Sequence, residues 1–146
     1  MGARTVHKVC IEWGDTDPAR IVFYPNYFRW FDAAAHHLFD EIGISHNEIV
    51  DGGGVGFPIV EAHSEFKRPG YFADHIEIHA EIVEVGSKVM KVAYRAIRPA
   101  TKQGESDTVL LEGYEKRVIA VPHKDDPKRI SAITIDEAMR AKLLAE

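Results

Sequence analysis

The chain has 146 residues, a formal net charge of −5, 45% hydrophobic residues and 28% charged residues. That length fits one domain spanning residues 1–146, and the composition is ordinary for a soluble globular fold. The acidic balance argues against a general nucleic-acid binder, which needs a basic face, yet a few local cations can still serve a small anionic ligand. No apolar run approaches the ~20 residues of a membrane span, and the N-terminus has no apolar signal core. The lone Cys10 allows no internal disulfide, so a reducing cytoplasm is the expected setting.

In chain order, Thr5–Trp13 reads as a first strand and Gly14–Pro18 as a break. From Asn26 to Ile42, Tyr27, Trp30, Phe31, Ala34, Ala35, Leu38 and Phe39 recur at three- and four-residue spacing, which predicts a long helix buried against a sheet. Pro25 and Asn26 mark its start and Gly43 its end. Ser45–Asp51 reads as a short helical turn, followed by the glycine run 52–56. From Phe57 to Phe66 the period changes to two, opening what reads as the central strand. His75–Val85 and Lys88–Arg98 alternate more cleanly around the Gly86-Ser87 turn, and Thr108–Val121 is a further strand. Ile135–Leu144 predicts a small C-terminal helix. Strand, long helix, consecutive antiparallel strands and a last helix imply an α+β domain with about five strands. Such a sheet leaves an exposed edge, commonly hidden by a second copy.

The chemistry concentrates between Glu12 and Trp30. Two carboxylates, Asp15 and Asp17, lie on a Gly/Pro-bounded loop feeding the helix start, where backbone N–H groups lack intrahelical partners. A carboxylate beside such donors suits acyl transfer, because the donors can hold a developing oxyanion. Asp17, closer to the helix, is the better catalytic candidate, and Asp15 would shape the loop. The bland alternative is that one Asp caps a turn through its side chain while the other is solvated. Other chemistries fit poorly. An EF-hand would need ligands that Pro18-Ala19-Arg20 does not supply. The glycine run lacks the Lys-Ser/Thr of a phosphate loop. The eight histidines form no His-Glu-x-x-His pair, so no metal site is expected, and no Gly-x-Ser-x-Gly elbow occurs.

The run Glu12-Trp13-Gly14-Asp15-Thr16-Asp17-Pro18-Ala19-Arg20-Ile21-Val22-Phe23-Tyr24-Pro25-Asn26-Tyr27-Phe28-Arg29-Trp30 resembles the signature of the 4-hydroxybenzoyl-CoA thioesterase family, of hotdog fold. Gly56-Phe57-Pro58-Ile59-Val60, Phe66-Lys67-Arg68-Pro69 and Glu115-Lys116-Arg117-Val118 extend the resemblance. It implies an acyl-CoA thioesterase that uses no cofactor and acts on an aryl or short-chain acyl group. In that family the Asp matching Asp17 attacks the thioester carbonyl or activates water, and the backbone N–H at the position of Tyr24 polarises the carbonyl oxygen. The resemblance also implies a homodimer with sites at the subunit interface, often assembled into a homotetramer. Phe23, Tyr27 and Phe57 are candidate walls of the acyl pocket, and Lys88 and Arg68 candidate contacts to the phosphates of CoA. Two departures stand out. Where some members carry several basic residues, the turn here keeps only Lys88, and Arg20 occupies a position where members often have Gly. The rival reading is a hotdog protein that binds acyl-CoA or an acyl carrier protein without turnover. A dehydratase would want a His on the loop, and none lies between Glu12 and His36.

Overall fold

Alternating burial builds the sheet. In the computed structural model, which describes residues 1–146, the strands are β1 (Arg4–Cys10), β2 (Ile59–Phe66), β3 (His75–Val85), β4 (Val89–Arg98) and β5 (Thr108–Val118). They form one antiparallel sheet in the order β1-β3-β4-β5-β2. Ile76, Ile78, Ala80 and Ile82 of β3, with Met90, Val92, Tyr94 and Ala96 of β4, are buried on one face. Helix α1 (Pro25–Glu41) covers that face with Tyr27, Phe31, Ala34, Ala35, Leu38 and Phe39, all buried. The rings of Phe31 and Tyr94 stack with centroids 4.6 Å apart, locking the helix onto the middle strand. Pro25 opens α1, where its missing N–H costs nothing, and Gly43 closes it at a φ of 78°. Helix α2 (His46–Asp51), the ribbon of β6 (Ala120–Pro122) and β7 (Ile130–Ala132), and helix α3 (Glu137–Leu144) complete the α+β domain.

Several boundaries differ from the sequence reading, each for a pairing reason. β1 stops at Cys10 because its partner there, His75, is the first residue of β3; Trp13–Asp15 instead forms a 3-10 turn. The strand expected over Thr108–Val121 breaks at Ile119, since Val118 pairs with Val89 and β4 reaches no further. Ala120 turns to β7, a strand that sequence reading did not mark. The stretch from Phe57 to Phe66 is not central within the chain. Its regular part, β2, pairs only with β5 and lies at the sheet edge, leaving Ile59, Val60 and Phe66 exposed.

One charged cluster lies inside the apolar core. Glu115 and Arg117 of β5 share the inward face with Leu111, and each is only 1% exposed. The Arg117 guanidinium donates to Asp32 Oδ1 of α1 at 2.9 Å, to Glu115 Oε1 at 3.0 Å and to the Phe57 carbonyl at 3.1 Å. The Tyr94 hydroxyl also donates to Glu115, and burial, reinforced by that carboxylate, holds the Tyr94 phenol well above its ordinary pKa. One side chain thus ties α1, β5 and the segment before β2. Removing it leaves the buried Glu115 without its counter-charge, which costs more than the pair itself contributes. Arg117→Ala is expected to lower the unfolding free energy by about 3–5 kcal/mol in urea denaturation. A change under roughly 1 kcal/mol would mean that the cluster behaves like a surface pair.

Candidate active site

The loop between β1 and α1 is built by its own acids. Asp15 Oδ2 accepts the Glu12 N–H at 2.8 Å and the Asp15 N–H returns to the Glu12 carbonyl at 3.0 Å, closing the 3-10 turn. The Asp15 carbonyl then accepts the Phe23 N–H at 2.8 Å and the Asn26 side-chain amide at 2.9 Å, drawing the helix start onto the loop. Between these anchors Thr16 bridges Val22, and the intervening residues turn tightly. The Asp17 N–H reaches the Ile21 carbonyl at 3.0 Å, and the Arg20 N–H reaches the Asp17 carbonyl at 2.8 Å. Asp17 Oδ1 accepts the Ala19 N–H at 2.8 Å, the side-chain turn that the bland reading anticipates. Its second oxygen makes no hydrogen bond within the chain, and the residue is half-buried.

The first turn of α1 uses nearly all of its donors. Phe23 is bonded to Asp15, Pro25 has no N–H, and Asn26 and Tyr27 donate to Phe23 and Tyr24 at 3.0 and 3.2 Å. The N–H of Tyr24, the residue that caps α1, meets no acceptor in the protein. The residue is 58% exposed, and its ring makes edge-to-face contacts with Phe23 and Phe66 at 5.7 and 6.2 Å. Beside it runs a groove of about 350 Å³ with Tyr24, Tyr27 and Phe66 as aromatic walls and Lys67 and Arg68 on its rim. Tyr27 is 3% exposed and its hydroxyl is pressed against Gly70. Burial pushes its pKa up to about 12, against a smaller opposing pull from the Gly70 backbone.

The structure therefore gathers Phe23, Tyr24, Tyr27 and Arg68 at one end of the sheet, with Asp17 on the adjoining loop, bonded to Ile21 at the groove wall but not itself lining the groove. It does not bring Phe57 or Lys88 to that end of the same chain. Phe57 is buried against Phe39, with centroids 4.4 Å apart, where the chain enters β2. Lys88 is exposed in the β3–β4 turn, the far end of an 11-residue strand and so roughly 36 Å along the sheet. Phe57 borders a second cavity of about 450 Å³ with Asp32, His36, His46 and Arg117. His36 lies 3.6 Å from Asp32, and burial depresses its pKa, outweighing the carboxylate, which pulls it up. Sequence reading missed this second group. Its one signal was the charge of Glu115 and Arg117 on the strand face that also carries Leu111.

Comparison with known proteins accounts for the loop and the fold together. The sequence pattern of the thioesterase-like superfamily matches residues 11–142. The chain belongs to that superfamily. It is a thioester hydrolase of hotdog fold. The 4-hydroxybenzoyl-CoA thioesterase of Pseudomonas sp. (strain CBS-3) is 34% identical over 127 residues, covering 86% of each chain. A mutant of 4-hydroxybenzoyl CoA thioesterase complexed with 4-hydroxybenzoyl CoA superimposes with a TM-score of 0.86 at 30% identity, over 97% of this chain and 99% of that one. A gentisyl-coenzyme A thioesterase structure is 38% identical, with a TM-score of 0.74 over 95% of this chain and 98% of its own.

This thioesterase departs from an unstrained loop at Arg20, whose φ of 67° lies in the left-handed region. A side chain there costs roughly 1–2 kcal/mol, whereas glycine adopts the conformation freely but loses more entropy on folding. Arg20→Gly is accordingly expected to raise stability by about 0.5–1 kcal/mol. A lower thermal midpoint for the variant would show that the arginine side chain makes a compensating contact.

Proposed function

We propose that this thioester hydrolase converts an acyl-CoA to the free acid and CoA, with a hydroxybenzoyl-type aryl group or a short acyl chain as its cargo. The carboxylate of Asp17 would act on the thioester carbonyl while the Tyr24 N–H holds the carbonyl oxygen. The supporting observation is the pairing of an Asp17 oxygen free of hydrogen bonds with the one first-turn N–H that has no acceptor. Electrons and atoms balance by either of two routes. Asp17 attacks the carbonyl carbon, expels the CoA thiolate and forms a mixed anhydride that water then cleaves. Alternatively, Asp17 takes a proton from a water that attacks directly. Each route consumes one water and needs no metal or organic cofactor. Main-chain donors fixed before the substrate arrives stabilise the oxyanion without reorganisation. The aromatic groove walls and the aryl-CoA thioesterases among the relatives favour an aryl cargo.

The complete site in this proposal spans a homodimer, with pairing of dimers into a tetramer as a further step. β2 is hydrogen-bonded along one edge only and exposes Ile59, Val60 and Phe66, so an antiparallel second copy would satisfy both. Twofold pairing along β2 sets the Phe66 end of one chain beside the Ile59 end of the other. It would carry Phe57 and Lys88 of the partner subunit toward the groove beside Tyr24, where Lys88 joins Arg68 as a phosphate contact. Cytoplasmic residence fits the exposed, unpaired Cys10.

Asp17→Asn keeps the shape of the turn and removes the reacting carboxylate. Free-thiol release from aryl-, phenylacetyl-, short- and long-chain acyl-CoA is expected to fall by about 10²–10⁴ in kcat for the best substrate. Wild-type turnover by this variant would refute the role of Asp17. Mixing inactive Asp17→Asn with weakly binding Lys88→Ala should restore one intact site per mixed dimer, seen as recovered kcat/KM. No recovery in mixtures that verifiably exchange subunits would place both residues in one chain's site.

A further inference from the structure

Segment 69–74 connects β2 to β3 and fastens the catalytic loop on both sides of Asp17. Ahead of it, the Ile11 N–H donates to the Asp74 carbonyl at 2.9 Å, and the Ala73 N–H returns to the Ile11 carbonyl at 2.8 Å. Behind it, the Val22 N–H donates to the Gly70 carbonyl at 3.0 Å, and Ile21 bridges Tyr71. The approach at Gly70 is close: a Cβ there would lie 2.7 Å from the Tyr27 hydroxyl and 3.0 Å from Ile11 Cδ1. The segment has no strand ladder of its own to keep it in place.

Its fixed point is an ion pair. Arg98, the last residue of β4, donates to Asp74 Oδ2 at 3.0 Å and to the Pro69 carbonyl at 3.3 Å. The same Asp74 oxygen accepts the Tyr71 N–H at 3.0 Å. Arg98 thus grips both ends of the segment from the rigid sheet, and the segment grips the loop. Both side chains are less than a third exposed, so solvent screens the pair only in part.

We propose that Arg98 and Asp74 are positioning residues for thioester cleavage, setting the Asp17 carboxylate against the Tyr24 N–H through segment 69–74. The proposal rests on the assignment of Asp17 as the reacting group. The geometry of attack is sensitive, since an error near 1 Å can cost about 100-fold in rate. Neither residue borders the groove, so loss of the pair should damage the chemical step and spare substrate binding.

The test uses the full chain, assayed well below each variant's unfolding midpoint, with 4-hydroxybenzoyl-CoA or the better substrate from the thioester panel. Arg98→Met and Asp74→Asn should each lower kcat about tenfold or more with KM changed less than twofold, and Arg98→Lys should recover most of kcat. In the Asp17→Asn background, Arg98→Met should leave the substrate Kd unchanged. Hydrogen exchange should quicken at the Ile11 and Val22 amides and stay as in wild type in the β3–β4 ladder. Wild-type kcat in both single variants would overturn the positioning role even if Asp17→Asn is inactive. So would exchange that quickens equally across the sheet, which marks a general loss of stability. Full activity in Asp17→Asn would instead remove the assignment on which the proposal stands.

Discussion

The seat of α1 on β3 and β4 is the constraint from which the rest of the molecule follows. Six buried side chains and the Phe31–Tyr94 stack leave the helix little freedom to slide or roll. With α1 fixed, its first turn must lie near the end of β1, and residues 12–24 must reverse the chain in the space between. That reversal is made by hydrogen bonds to Asp15 and by the Asp17 turn. Two acids therefore sit beside a helix start for reasons of chain geometry. When these folding interactions are complete, one Asp17 oxygen and the Tyr24 N–H are left without a partner in the chain.

Charge is distributed between the two ends of the domain in different ways. At the Asp17 end, Arg98 and Asp74 are partly exposed and hold backbone segments together, so solvent moderates both their attraction and the cost of their burial. At the other end, Arg117 is buried with Glu115, and its two terminal nitrogens are bonded by converging groups from α1, β5 and the Phe57 carbonyl. A buried pair of that kind contributes little net stability compared with apolar packing, yet it punishes any misplacement of its partners. Its effect is to fix the relation of Asp32 to Phe57 and so the shape of the second cavity. The open edge of β2 lies between these two ends.

Much of the architecture was legible in the residues. The helix from Pro25 was marked by its apolar spacing, its proline and its closing glycine. β3 and β4 were marked by alternation around Gly86-Ser87, and the loop by its paired acids. Less legible were features that depend on where neighbouring strands end. β1 lost its last three expected residues because β3 starts only at His75 and the segment before it bonds to Ile11 alone of the three, and the strand after Thr108 broke where β4 ran out. The position of β2 at the edge was hidden because alternation reports two faces, whereas being an edge concerns the missing neighbour.

The candidate site divides along the same line. Local sequence determined the Asp17 turn, since Asx bonding, proline and the helix start all act within a few residues. It also determined the burial of Tyr27, through its place on the helical stripe. Only the tertiary structure decided that Phe57 and Lys88 stand far from Asp17 in their own chain and that Gly70, Asp74 and Arg98 lie behind the Asp17 loop. Those relations join residues distant along the chain, and they are set by strand order and packing. Neither is written in the spacing of neighbouring side chains.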